Sequence, residues 1–199
     1  MEDSLAVRLL KDGNLNGLEI LVHRYYFQAV HVSYLIVQDP ALAEDIVMDA
    51  FMHANEKIVQ LSSERFGPWF LRMVVNASIK ASRRQNRQIS VDNYDEEAAQ
   101  TLAEMLVDPS PSVEEVVETE DLRQSIRKAL AQLSLEQRAA IVMKYVLEMS
   151  EAEITREMDT PLSTNKGRLY TAREKLRRLL NPIRHSSSPT DSKHKVKPS

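Results

Sequence analysis

Cysteine is absent from the 199 residues, and glycine occurs only four times. The first absence excludes a disulfide framework, a thiolate zinc site and a cysteine nucleophile, and it is compatible with a reducing compartment. The second, beside eight prolines and abundant Leu, Ala, Glu, Arg and Val, argues for an all-helical fold. No long uninterrupted apolar run occurs. The most membrane-like window, Leu18 to Val37, is broken by Glu19, His23, Arg24, Gln28 and His31, so it reads as a long buried helix. The start, MEDSLAVRLLKDG, is acidic where a signal peptide would be basic. A cytoplasmic protein without direct membrane insertion is expected.

The chain has no excess of positive charge; its formal net charge is −3. That average conceals segregation. Gln88 to Leu122 holds eleven acids and no Lys or Arg, whereas Arg72 to Arg87 holds five bases (Arg72, Lys80, Arg83, Arg84 and Arg87) and no acid. A second basic stretch lies near the end, so net charge is a poor guide to an anionic partner. Enzymatic motifs are missing too. His23, His31, His53, His185 and His194 fall in no H-E-x-x-H pattern, and no phosphate loop or nucleophile elbow accompanies them. The expectation is a non-catalytic protein with no cofactor and no metal.

What is present is helical punctuation. Asp12-Gly13-Asn14 ends a first helix running from Glu2 to Lys11. A second covers about Leu15 to Gln38, with Leu18, Leu21, Val22, Tyr25, Tyr26 and Ala29 as its apolar stripe. Asp39-Pro40 offers a cap and a proline at the first helical position, opening a third helix to about Gln60. A fourth starts near Pro68 and ends in the basic cluster. Ile46, Val47, Ala50, Phe51 and Ile58 should pack on the second helix and on Phe66, Trp69 and Phe70.

From Ile89 to Ser112 the period weakens, acids accumulate and DPSPS appears, the composition of a flexible connector. A helix over Val113 to Gln132 follows, then Ser134-Leu-Glu-Gln137 as a capping box for a helix to about Glu148. Ser150 to Glu153 is another capping box, with Ile154 and Met158 on one face, and Asp159-Thr160-Pro161 stops that helix. Ser163 or Thr164 can cap the next, which sets Asn165, Leu169, Ala172, Leu176 and Leu179 or Leu180 on one side. Its other side carries Lys166, Arg168, Arg173, Lys175, Arg177 and Arg178 against one acid, Glu174. Two short helices about a tight turn, the second cationic, suit a helix-turn-helix in a major groove. The end, NPIRHSSSPTDSKHKVKPS, has no apolar period and reads as a disordered basic tail.

Taken together, DPALAEDIVMDAFMHA, FGPWFLRMVVNASIKASRRQNR, the acidic connector, LAQLSLEQRAAIVMKYVLEMSEAEITREM and the basic helix resemble the extracytoplasmic-function (ECF) sigma factors of bacterial RNA polymerase. The likeness runs in order from about residue 3 to 181. It implies an all-α fold of two small helical domains joined by a flexible acidic linker, the second ending in a helix-turn-helix. The expected divisions are 1–87, similar to sigma region 2, an acidic linker over 88–112, a region 4-like domain over 113–181, and a tail over 182–199.

The resemblance also implies roles. Glu44, Asp45, Met48 and Asp49 would dock on core polymerase, Met48 departing from a commonly polar position. Asn76 would contact an unpaired base of the minus-ten element, and Lys80, Arg83, Arg84 and Arg87 its phosphates. Trp69 and Phe70 are assigned mainly to packing. At the minus-thirty-five element, Lys166, Gly167, Tyr170 and Thr171 would face the groove. Arg168 and Arg173 would reach the backbone, with Ser163 and Thr164 at the helix start counted in the same surface.

In the second domain four positions depart from the family habit. Gly167 replaces a small hydroxyl residue, Thr171 a longer basic one, Asn165 a β-branched apolar one, and Thr155 an alanine where helices meet. An unpartnered buried Asn165 would cost about 1–3 kcal/mol. The expected partners are core RNA polymerase, promoter DNA and an anti-sigma factor. The altered helix motivates an alternative: a sigma-like interaction protein that binds an anti-sigma factor or polymerase without productive promoter reading. A repressor sharing only the C-terminal unit would leave the N-terminal bundle unexplained.

Overall fold

Apolar spacing and a few capping residues account for each helix. The computed structural model describes residues 2–62, 65–88 and 113–186, with side chains over 3–62, 65–85 and 122–181. The linker stretch 89–112 and the tail from 187 onward lie outside the described residues. Helix α1 spans Glu2–Lys11, α2 Asn16–Val37, α3 Pro40–Lys57 and α4 Phe66–Gln88, with a single 3₁₀ turn at Ile58–Gln60 after α3. The last turn of the expected third helix thus tightens, bringing Ile58 into the core and turning the backbone at Leu61. After residue 112 come α5 (Val113–Ala131), α6 (Leu135–Tyr145), α7 (Glu151–Glu157) and α8 (Leu162–Ser186). All regular structure among the described residues is helical, and none of those helices is long and apolar enough to cross a membrane.

In the first unit α2 is the centre, touching α1, α3 and α4. Its Val32 to Val37 run is buried without interruption, as a helix enclosed on several sides requires. The Asp39 carboxylate caps α3, accepting from the Leu42 amide at 3.0 Å, and Pro40 follows it. Phe51 stacks on Phe70 (centroids 4.2 Å apart) and Phe70 on Phe66 (5.2 Å). The α2–α4 crossing holds a buried hydroxyl pair, Ser33 and Ser78 at 2.9 Å, with Ser78 also donating to the Val74 carbonyl at 2.8 Å.

The second unit is organised by α6 and α8. Both capping boxes form: Ser134 with Gln137, and Ser150 with Glu153. Helix α6 stops at Tyr145, short of the expected Glu148, because Val146 and Leu147 both return their amides to the Val142 carbonyl and Glu148 turns left-handed (φ 53°). This buries Met149 just before α7. The last helix begins at Leu162, so Ser163 and Thr164 lie in its first turn and not at its cap; the Asn165 amide bonds to the Pro161 carbonyl. It continues past Leu180 to Ser186, since Pro182 deletes one N–H from the ladder without forbidding helical angles beyond it.

The two units share one apolar core. Helix α6 packs on α2 and α4, so Ile141, Val142 and Met143, with Leu133 from the turn before it, join the same cluster as Ile36, Val74 and Ile79. Arg138 of α6 anchors the junction by donating from Nε to the Ile36 carbonyl at 2.7 Å, satisfying an orphan oxygen at the end of α2.

Candidate nucleic-acid interface

Helix α4 divides into two stripes. Phe66, Phe70 and Val74 are fully buried. Trp69 is half-buried, edge-on to Phe66 with centroids 5.8 Å apart, and packs against the core. Its polar stripe repeats at three and four residues, which aligns Arg72, Asn76, Lys80 and Arg83 along one side. Asn76, Lys80, Arg83 and Arg84 are all exposed, and line a cleft of about 560 Å³ completed by Ile79, Glu157 and Met158. Arg87 lies on the last turn of α4, its side chain outside the described residues.

This stripe meets α7 across the cleft. Arg72 pairs with the Glu153 carboxylate, and the Asn76 amide donates to Glu157. Further along, Arg83 lies 3.6 Å from Glu136 at the start of α6. Glu153 is held at a pKa of about 2, first by the Ser150 backbone amide and hydroxyl of the capping box, then by Arg72. It is therefore a fixed anion at neutral pH. Sequence reading left Arg72, Glu153, Glu157 and Arg138 out of the candidate set, because their roles depend on how the two units meet.

The C-terminal helix presents a second polar surface. Lys166, Gly167, Tyr170, Thr171 and Arg173 are exposed, as are Ser163 and Thr164, with Tyr170 66% accessible. Arg168 departs from the expected outward arrangement. It is half-buried, and its guanidinium donates to Asn165 Oδ1 at 3.2 Å and Thr160 Oγ1 at 3.3 Å. Asn165 is fully buried but not orphaned, since its Nδ2 donates to Thr155 Oγ1 at 3.3 Å and Thr155 donates onward to the Glu151 carbonyl at 2.8 Å. The two unusual residues at this helix crossing satisfy each other. The expected penalty for a lone buried amide does not arise.

A third surface lies on α3. Ala43, Ile46, Val47, Ala50, Phe51 and Ala54 face inward, leaving Glu44, Asp45, Met48 and Asp49 exposed. Met52, one turn beyond Met48, is 60% accessible and extends this acidic strip with a second thioether. Its position four residues after Met48 was the available signal.

Comparison with known proteins agrees with this organisation. Residues 21–88 match the family model for Sigma-70 region 2, and residues 123–176 that for Sigma-70 region 4. The chain is 26% identical over 179 residues to the ECF RNA polymerase sigma factor SigW of Bacillus subtilis, covering 89% of this chain and 96% of that one. It is 24% identical over 187 residues to the ECF RNA polymerase sigma-E factor of Escherichia coli, covering 92% and 96%.

Two solved structures share the fold. One is CnrH in complex with the cytosolic domain of CnrY, with a TM-score of 0.58 and 18% identity over 94% of this chain and 100% of that one. The other is the sigma factor RpoE with the anti-sigma factor NepR from Bartonella quintana, with a TM-score of 0.59 and 21% identity over 82% and 96%. The two regions together take in more than half of the chain, which therefore belongs to the sigma-70 family and within it resembles the ECF sigma factors of RNA polymerase.

Proposed function

We propose that this sigma factor confers promoter specificity on RNA polymerase through three surfaces, with no covalent chemistry of its own. The α3 strip of Glu44, Asp45, Met48 and Asp49 docks on core polymerase, its carboxylates suited to a basic partner and its thioethers to an apolar one. Asn76 reads an extruded base of the minus-ten element while Lys80, Arg83, Arg84 and Arg87 follow the strand's phosphates. Melting then follows from tighter binding of unpaired than of paired bases. On α8, Lys166, Gly167, Tyr170 and Thr171 read the minus-thirty-five duplex, with Ser163, Thr164 and Arg173 on its backbone. Arg168 braces the turn from within. The domain divisions follow the same logic: residues 1–87 and 113–181 as working units, 88–112 as the acidic linker.

The observation that carries this reading is the Asn76, Lys80, Arg83 and Arg84 stripe on a helix whose opposite face is locked by Phe66, Phe70 and Val74. An amide and three cations at helical spacing fit a single strand better than a duplex groove. Cytoplasmic action and restraint by an anti-sigma factor belong to the same proposal; the RpoE structure above contains such a factor. The partnered Asn165 removes the main reason to think the upstream reader impaired. The test is run-off transcription with core polymerase and the DNA upstream of the gene. Specific initiation lost in Asn76→Ala but with polymerase binding retained is expected, and absence of polymerase binding would overturn the reading.

A further inference from the structure

We propose that the cavity between α2, α5, α6 and α8 is a binding site for a single-headed amphipathic anion, an aliphatic chain ending in a carboxylate. The space measures about 660 Å³, within the roughly 300–1,000 Å³ that small-molecule sites occupy. Both units build it. Leu35 comes from α2, Leu130 from α5, Ile141 and Val142 from α6, and Leu176 from α8. Leu35, Leu130, Ile141 and Val142 are buried and Leu176 is half-buried, so the walls are aliphatic surface that favours a hydrocarbon chain over water.

The charged part of the lining has one sign. Arg123 and Arg127 lie four apart on one face of α5, and His31 stands opposite on α2; all three are half-buried. No Asp or Glu occurs among the described residues that line the space. The arginines act on the same volume as the imidazole: burial first, then Arg127 and Arg123, lower the His31 pKa. A carboxylate seated among them meets two guanidinium forks whose geometry matches it, whereas a cation is repelled and an uncharged chain forgoes the attraction. A dianionic head would cost more to desolvate against these walls, which sets the preference for a carboxylate. None of these residues belongs to the α3, α4 or α8 reading surfaces, so the site stands independently of the promoter assignment.

Equilibrium dialysis of radiolabelled decanoate against the full-length protein, below the concentration at which the acid forms micelles, measures affinity and stoichiometry together. One saturable equivalent is expected. Decanol, the same chain without the charge, should bind at least about tenfold more weakly, the scale of one charge-assisted hydrogen bond. No saturable uptake of decanoate, uptake of several equivalents, or equal affinity for acid and alcohol would overturn the proposal. Tighter binding of decyl phosphate than of decanoate would overturn it as well.

Variants locate the head group. Arg127→Gln should weaken decanoate binding about tenfold or more and leave decanol binding unchanged, a split that a misfolded variant does not produce. Lys128→Gln, exposed on the same helix and outside the lining, controls for net charge. Equal losses in the two variants, or loss of acid and alcohol alike in Arg127→Gln, would overturn the proposal. A ligand that binds the folded form also stabilises it, so a fixed concentration of decanoate that saturates the wild type should raise its Tm more than that of Arg127→Gln; equal shifts would count against the site.

Discussion

Thr155 and Asn165 form a pair whose energetic coupling can be worked out from the structure. Asn165 is fully buried, donates to Thr155 and accepts from Arg168, and Thr155 passes its own proton to the Glu151 carbonyl. Thr155→Ala leaves the fully buried Asn165 amide without that acceptor. The loss of one hydrogen bond plus a stranded donor comes to about 1–3 kcal/mol. Asn165→Val alone leaves Thr155 bonded to Glu151 but deprives Arg168 of an acceptor, and should cost about 1 kcal/mol. The double variant re-creates an apolar contact of similar volume and should cost less than the sum of the two, by at least about 1 kcal/mol. Urea unfolding followed by circular dichroism supplies the four stabilities of the cycle. Additivity within about 0.5 kcal/mol would refute the claim that the two residues are partners.

Gly17 sits where α2 crosses α1, and a Cβ there would come within 2.7 Å of the Leu10 amide nitrogen. Backbone cannot step aside as a flexible side chain can, so Gly17→Ala should destabilise by about 1–3 kcal/mol, read as a lower Tm. Gly167 is the opposite case, with nothing within 4 Å of an added Cβ, so Gly167→Ala should gain up to about 1 kcal/mol of helix stability in the same assay. His31, between α2 and α5, has its pKa lowered by burial and by Arg127 and Arg123. The unfolded chain therefore binds a proton more readily, and stability from this site is full above about pH 6.5 and falls as pH drops toward the depressed value. His31→Gln should flatten the denaturation midpoint across that window.

Most helices were legible in the sequence because their signals are local. Asp39-Pro40, Ser134 to Gln137 and Ser150 to Glu153 each place a cap within four residues of what it caps, and all three form. The polar stripe of α4 was legible for the same reason, since helical spacing alone aligns Asn76 with Lys80 and Arg83. Where competing geometries were local too, the reading slipped. Ser163 and Thr164 have cap chemistry, yet Leu162 already has helical backbone. The end of α6 depends on the burial of Met149, which no cap residue announces. The partners of Asn165 required knowing that two departures from family habit touch each other, and the Ser33–Ser78 pair is equally invisible in a pattern that treats serine as polar.

The packing of the second unit on α4 also explains how a chain with two basic surfaces can expose them unequally. Among the described residues, the acids that meet α4 are those of α6 and α7, whereas on α8 only Lys166 meets one across the turn, Glu151 at 4.0 Å. Yet the acids alone cannot hold the two units together. Exposed ion pairs contribute about 0.2–1 kcal/mol each, whereas burying a single large aliphatic side chain contributes about 1.5–3 kcal/mol, and α6 with the turn before it brings Leu133, Ile141, Val142 and Met143 into the common core. The apolar seam therefore holds the two regions together, while Glu153 and Glu157 determine which face of α4 the second unit meets. A partner that only neutralised charge would shift the balance a few-fold. One that uncovers the α4 stripe must compete for the α6 seam itself, because an equilibrium moves only as far as the partner's difference in affinity for the packed and separated forms.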